Sequence, residues 1–170
     1  MALRRIRLYP DPVLRQPGAR VESFDEELRR LVDDMVETMH TAPGIGLAAP
    51  QVDVPLRLFV VDLSVGRRAS DLQVFINPEI VERDGMQLEE EGCLSVPGFT
   101  ATVLRPTRVV VRALDRDGSG RTVEGTGLLA RALQHEMDHL DGLLYVQRLR
   151  SLQRASIERR VRQLGQLGRW

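Results

Sequence analysis

At 170 residues, with 42% hydrophobic residues and a formal net charge of zero, the chain has the size and composition of one soluble globular domain, which excludes a disordered or strongly basic protein. Its single cysteine cannot form an internal disulfide and favours a reducing compartment. No apolar run approaches the roughly 18 residues of a membrane span, and the basic start lacks a signal-peptide core, so we expect a cytoplasmic protein without membrane contact or sequence-specific binding of nucleic acid.

The first predicted element is a helix from about Phe24 to His40. Ser23 and Glu26 have the spacing of a capping box at its start. One stripe of helical period carries the apolar residues Leu28, Leu31, Val32, Met35, Val36 and Met39. We therefore expect this helix to pack against the core through that stripe.

The segment that follows, Thr41 to Gln51, is rich in glycine and proline and is predicted to be an ordered loop. Further strands are predicted where Val, Ile and Phe cluster between turn residues, at 57–63, 72–83 and 107–118. A hairpin turn and another short strand follow the last of these. The pattern predicts a largely antiparallel sheet.

Two more helices are predicted, at about Leu128–His139 and Ser151–Leu164, with Gly142 ending the first of them. Strands followed by helices, rather than strict alternation, indicate an α+β fold. We expect mainly antiparallel sheets packed around the helix at 128–139, with one helix near each terminus. Residues 1–147 are expected to form the main domain, and 148–170 a basic helix packed on it.

Two of the three histidines, His135 and His139, lie four residues apart with Glu136 between them. In a helix this H-E-x-x-H spacing places both imidazoles on one face, as in zinc sites where the glutamate is a general base. The alternative is a surface helix in which these histidines and the glutamate occur in this order by chance. A metal site also needs a third ligand, for which Asp141 lies too close and Glu158 belongs to the basic tail.

Cys93 is the remaining candidate ligand, in a stretch bounded by glycine and proline that fixes the direction of its thiol. One thiolate with two imidazoles suits Zn or Fe(II). A small buried hydrophobe is the alternative reading of a lone cysteine. The glycine-rich segment at 44–51 matches neither the dinucleotide-binding nor the P-loop pattern, so phosphate binding is not expected.

Three segments in this order resemble the peptide deformylase family. They are Gly44-Ile45-Gly46-Leu47-Ala48-Ala49-Pro50-Gln51, Glu91-Gly92-Cys93-Leu94-Ser95 and Gln134-His135-Glu136-Met137-Asp138-His139. The resemblance covers nearly the whole chain, and the long helix after the last segment is similar to the subclass with a C-terminal helix.

The resemblance implies a hydrolase that removes the N-formyl group from formyl-methionyl nascent peptides and releases formate. Cys93, His135 and His139 would hold one divalent metal ion, with Fe(II) favoured and Zn, Ni or Co as alternatives. A metal-bound water would attack the formyl carbon with Glu136 as general base. Gln51 and the backbone N–H of Leu94 would donate to the formyl oxygen. A metalloprotease or another metal-dependent amidase is the alternative enzyme, and a binding protein with a structural metal is the alternative outside catalysis.

An apolar pocket for the methionine side chain is expected beside the metal, lined by Gly46, Ile45, Leu128 and Ala132, although core packing explains the apolar residues equally well. Arg131, at a position where the family often has an apolar residue, is expected at the pocket rim. Glu91 and Arg105 are predicted to form a surface ion pair of little consequence, with a brace for the cysteine loop as the alternative.

Charge is unevenly distributed: residues 148–170 contain seven arginines and one acidic residue, a formal charge of +6. This segment resembles the helix with which some deformylases dock on the ribosome. A solvated helix kept soluble by its charge is the alternative.

Overall fold

The computed structural model describes residues 1–170 as an α+β fold, which confirms the predicted class. Its helices are α1 (Glu26–Thr41), α2 (Gly127–Leu140) and α3 (Ser151–Gln166). Its strands are β1 (Gly46–Ala48), β2 (Leu58–Val61), β3 (Gln73–Asp84), β4 (Gln87–Gly92), β5 (Thr100–Arg105), β6 (Arg108–Leu114) and β7 (Gly120–Thr126). All strand pairs are antiparallel, in a five-stranded sheet of order β1-β2-β3-β6-β7 and a two-stranded sheet of β4 and β5.

Helix α2 is the centre of the fold, because every residue from Ala130 to Leu140 is buried. Its apolar side chains pack in one cluster with the sheet residues Phe59, Phe75 and Val111. The predicted stop is confirmed: Gly142 has a φ of 77°, and the amide of Leu143 donates to the carbonyl of Asp138 at 2.8 Å, as in a Schellman motif. A side chain at Gly142 would meet the backbone of Arg15, so the helix end is packed closely.

Helix α1 packs its apolar stripe on the other side of the sheet, and all predicted stripe residues except the half-buried Val36 are buried. The predicted capping box is wrong. Asp25 is the N-cap, its carboxylate accepting from the amide of Leu28 at 3.0 Å. Phe24, predicted as the first helical residue, instead packs against the core before the helix begins.

The predicted strands are confirmed as β2, β3 and β6, and the hairpin strand as β7, which pairs with β6. The sequence prediction missed β1, inside the expected loop, and both strands of the smaller sheet. In β5 the inward positions are Ala101, Val103 and Arg105, and in β4 the buried residue is Glu91. Charged side chains at inward positions concealed the alternation that normally reveals a strand.

Helix α3 contacts the rest of the chain through Ile157 and Val161, which share an apolar cluster with Tyr9. The hydroxyl of Tyr9 lies 3.0 Å from a carboxylate oxygen of Glu158. None of the helices combines the length and the apolar character that crossing a bilayer requires.

Candidate metal centre and substrate groove

Cys93, His135 and His139 come together in the structure, one ligand atom from each lying within 4.8 Å of the others. Both histidines project from the same face of α2, and Cys93 follows β4 directly. The Cys93 sulfur is 3.3 Å from Nε2 of His139, and the two imidazole centroids are 5.1 Å apart. No fourth His, Cys, Asp or Glu belongs to this group.

Glu91 fixes the orientation of His135. One carboxylate oxygen of Glu91 is 2.8 Å from Nδ1 of His135, which leaves Nε2 for the side facing Cys93. A carboxylate behind a histidine is the usual partner of a metal-bound imidazole, because it sets the tautomer and the ring orientation. From the sequence, Glu91 was predicted only to pair with Arg105.

The protonation of the two histidines differs. Burial disfavours a charged His135, but its contacts with Cys93 and Glu91 outweigh burial and raise its pKa well above 6.5. Burial and the neighbouring His135 lower the pKa of His139 well below 6.5. A metal ligand must be unprotonated, so an ion bound here would displace the His135 proton.

The residues fit a catalytic metal ion. One sulfur and two imidazole nitrogens are donors suited to zinc and Fe(II). A catalytic site typically has three protein ligands, so that the fourth position stays available to water or substrate. Asp141 and Glu158 are engaged elsewhere, Asp141 with Arg57 at 3.0 Å and Glu158 with Arg154 at 2.9 Å.

A groove of about 610 Å³ opens beside this cluster. Its lining includes Cys93, His135 and Glu136, together with all four predicted pocket residues Ile45, Gly46, Leu128 and Ala132. Ala132 is 5% exposed, whereas Leu128 is 55% exposed and therefore not part of the core.

Glu136 is buried in the groove wall against Gly46. A Cβ atom at Gly46 would lie 2.5 Å from Oε1 of Glu136, so only glycine leaves room for the carboxylate. The other oxygen, Oε2, is buried without a hydrogen-bond partner. Burial raises the pKa of Glu136 to about 7, a value suited to a group that both accepts and donates a proton near neutral pH.

Gln51 and Leu94 lie on the cysteine side of the groove. The Gln51 amide donates to Oγ of Ser95 at 3.0 Å and approaches the Cys93 sulfur at 3.6 Å, while its Oε1 accepts from the amide of Ala48. The backbone N–H of Leu94 donates to no acceptor within the protein. The site thus carries two N–H donors beside the candidate metal ligands.

Comparison with known proteins identifies the family. The polypeptide deformylase family profile matches residues 3–155. The peptide deformylase of Acidobacterium capsulatum is 51% identical over 170 residues, covering 100% of both chains. The crystal structure of a peptide deformylase from Legionella pneumophila superposes with a TM-score of 0.92 at 46% identity, covering 98% of each chain. A structure of peptide deformylase from Ehrlichia chaffeensis in complex with actinonin gives 0.89 at 38% identity, covering 96% of this chain and 98% of the other.

The chain belongs to the polypeptide deformylase family. The resemblance inferred from the three segments is confirmed, and so are the enzyme class and the fold.

Behind the site, this deformylase contains a buried ion-pair network that the sequence analysis placed wrongly on the surface. Arg105 donates to both oxygens of Glu91, at 2.7 and 2.6 Å, and to Asp138 at 2.9 Å. Arg105 is 2% and Glu91 7% exposed. Burial would raise the pKa of Glu91, but hydrogen bonds from Arg105 and His135 hold it well below its usual range. The pair is therefore placed to brace the cysteine loop, the predicted alternative to a surface pair.

Two further arginines join this network. Arg131, expected at the pocket rim, does line the groove, but it is only 4% exposed because its guanidinium donates to Glu91 and to the carbonyl of Val103. Arg148, counted with the basic tail, instead donates to both oxygens of Asp138. Asp138 lies between the two histidines in sequence, so its contacts with Arg105 and Arg148 stabilise the helix that carries them.

Sequence reasoning also missed Ser95 and Tyr145. Ser95 is fully buried and orients Gln51, and the Tyr145 ring stacks 6.2 Å from His135. Ser95 belongs to the deformylase segment Glu91–Ser95, which was a usable signal. No sequence signal marked Tyr145, because an aromatic residue shortly after the end of a helix commonly packs in a hydrophobic core.

Proposed function

We propose that this protein removes the N-formyl group from formyl-methionyl nascent peptides and releases formate. The observation that carries the proposal is the convergence of Cys93, His135 and His139 beside a groove that Cys93, His135 and Glu136 line. Membership of the deformylase family supports this reaction over other amide hydrolyses.

We propose that Cys93, His135 and His139 hold one divalent ion, Fe(II) in preference to Zn, Ni or Co. When bound, such an ion lowers the pKa of water toward neutrality and so supplies a hydroxide nucleophile. Glu91 keeps Nε2 of His135 turned toward the site through the contact at Nδ1. The thiolate and the imidazoles accept several of these metals, so the preference for iron rests on the family.

Glu136 acts as the general base and acid. Its carboxylate takes a proton from the attacking water and transfers it to the departing amine, which a pKa of about 7 allows in both directions. The donors of Gln51 and Leu94 stabilise the negative charge that develops on the formyl oxygen. Losing one such donor typically costs about 2.7 to 4 kcal/mol of transition-state stabilisation.

The methionine side chain of the substrate occupies the apolar part of the groove. Ile45 and Ala132 form its walls, Leu128 lies at its exposed side, and Gly46 leaves room for the Glu136 carboxylate in the groove wall. Burying a side chain of this size contributes about 1.5 to 3 kcal/mol, enough to favour methionine over small residues.

Formate release from formyl-Met-Ala-Ser by anaerobically purified protein tests the proposal, together with elemental analysis of the same sample. We expect one equivalent of metal and one formate for each free amine formed. Cleavage of an internal peptide bond instead would support the metalloprotease alternative. Full activity in protein stripped of metal would refute both readings.

We also propose that residues 1–147 form the catalytic unit, on which 148–170 adds a basic helix that docks on the ribosome. The arginines Arg150, Arg159, Arg160, Arg162 and Arg169 are exposed and form no ion pair. Clustered positive charge on one segment favours an anionic partner.

Cosedimentation with ribosomes at rising salt tests this docking. Neutralising Arg159, Arg160 and Arg162 with glutamine should release the protein at lower salt, because fewer counterions are displaced on binding. A control variant neutralises the exposed Arg30, Arg67 and Arg83 outside this helix. If both variants sediment like the unmodified protein, the helix serves solubility alone.

A further inference from the structure

Trp170, which follows α3, reaches the wall of the substrate groove. Its ring meets Phe99 edge to face, with centroids 5.9 Å apart and planes inclined by 67°. Phe99 lines the groove together with Val96, Pro97 and Gly98, in the segment that leads away from Cys93. A residue 77 positions from Cys93 thus supports the groove beside the candidate metal ligand.

The end of α3 directs Trp170 to this place. Gly168 has a φ of 68°, its amide donates to the carbonyl of Gly165, and the amide of Arg169 donates to the carbonyl of Leu164 at 2.8 Å. These two bonds form a Schellman motif, which reverses the chain at a glycine. The turn brings Trp170 back toward the body of the protein.

Tyr9 provides a second connection between Trp170 and the groove. The indole N–H of Trp170 donates to the carbonyl of Tyr9, and the amide of Tyr9 donates to the carbonyl of Ser95 at 2.8 Å. Ser95 in turn accepts from Gln51. Trp170 therefore contacts one end of the segment 95–99 through its ring and the other end through Tyr9.

We propose that Trp170 is a positioning residue of the groove, which holds Phe99 and the segment 95–99 where the peptide binds. The proposal rests on the deformylase function proposed above, since it assigns a role in binding that substrate. Trp170 contacts neither the candidate metal ligands nor Glu136, so removing it should weaken peptide binding and leave the chemical step intact.

A double-mutant cycle with formyl-Met-Ala-Ser tests this role. Trp170→Ala should raise KM by roughly two- to tenfold, the range that the loss of one aromatic pair allows, with kcat unchanged. The increase should disappear when Trp170→Ala is introduced into a Phe99→Ala background. Leu167→Ala, at an exposed position in the same turn, is the matched control and should behave like the unmodified protein.

Three results would overturn the proposal: an unchanged KM in Trp170→Ala, a loss confined to kcat, or the same loss with and without Phe99. If the alanine variant does not fold, Trp170→Leu carries the same cycle, because leucine fills part of the space without an aromatic edge. Absence of formate release by the unmodified protein would refute the proposed function and leave the contact to be tested separately.

Fluorescence provides that separate test, because Trp170 is the only tryptophan in the sequence. Its emission should shift to longer wavelength in Phe99→Ala, where water reaches the indole, and should not shift in Leu128→Ala, where a different groove residue is shortened. This measurement needs neither metal nor activity. An emission unchanged by Phe99→Ala would show that the two rings do not meet in solution.

Discussion

Glu91→Gln is the substitution that most directly tests how this fold supports its metal site. The Glu91 carboxylate accepts from Arg105 and Arg131 and contacts Nδ1 of His135, and it is 7% exposed. Glutamine has nearly the same shape but no charge, and only one of its two terminal atoms accepts a hydrogen bond. The variant therefore leaves the buried Arg131 without an acidic partner and Arg105 with Asp138 alone.

The expected loss of stability follows from that burial. Removing one partner of a buried ion pair typically costs about 3 to 5 kcal/mol, because the remaining charge stays desolvated. For a domain whose total stability is about 5 to 15 kcal/mol this is a large share. A second effect falls on the metal, since losing the carboxylate behind a ligating histidine typically weakens metal binding about 10- to 100-fold.

Urea unfolding followed by circular dichroism measures the first effect, and competition with a chelator of known affinity measures the second. Glu89→Gln is the matched control, because Glu89 lies on the same strand but is exposed and has no ion-pair partner. The ion-pair argument is refuted if the two variants unfold within about 0.5 kcal/mol of each other, the spread of ordinary surface substitutions. Equal metal affinities in the two variants would refute the orienting role.

Three further outcomes are expected at the site itself. Glu136→Gln should reduce formate release by at least about 100-fold while the metal content stays at that of the unmodified protein; a retained rate would remove Glu136 from the proton transfers. Cys93→Ser should lose metal on dialysis that leaves the unmodified protein loaded, because a serine hydroxyl does not replace a thiolate as a ligand; a variant that keeps its ion would point to ligands elsewhere. Gly46→Ala should lower kcat while changing the melting temperature little, since its methyl group would lie 2.5 Å from Oε1 of Glu136 and displace the carboxylate. An unchanged kcat would show that the position of the carboxylate does not matter for the reaction.

Much of the local structure could be predicted because the helix repeat is a fixed geometry. A spacing of four residues places His135 and His139 on one face in any α-helix, and the apolar stripe of α1 indicated its buried side. The smaller sheet could not be found in this way. Glu91 and Arg105 point inward and are paired with each other, so their strands lack the apolar alternation on which strand prediction depends.

The sequence by itself determined the deformylase family, the helix that carries the two histidines and the residue types able to hold a metal. Only the tertiary structure decided that Cys93, 46 residues before His139, lies 3.3 Å from it, and that Trp170 packs on Phe99. The same holds for the buried positions of Glu91, Arg105 and Arg131. Local geometry follows from backbone periodicity. Contacts between distant segments depend on how all the elements pack together, and the spacing of residues in the sequence does not reveal that packing.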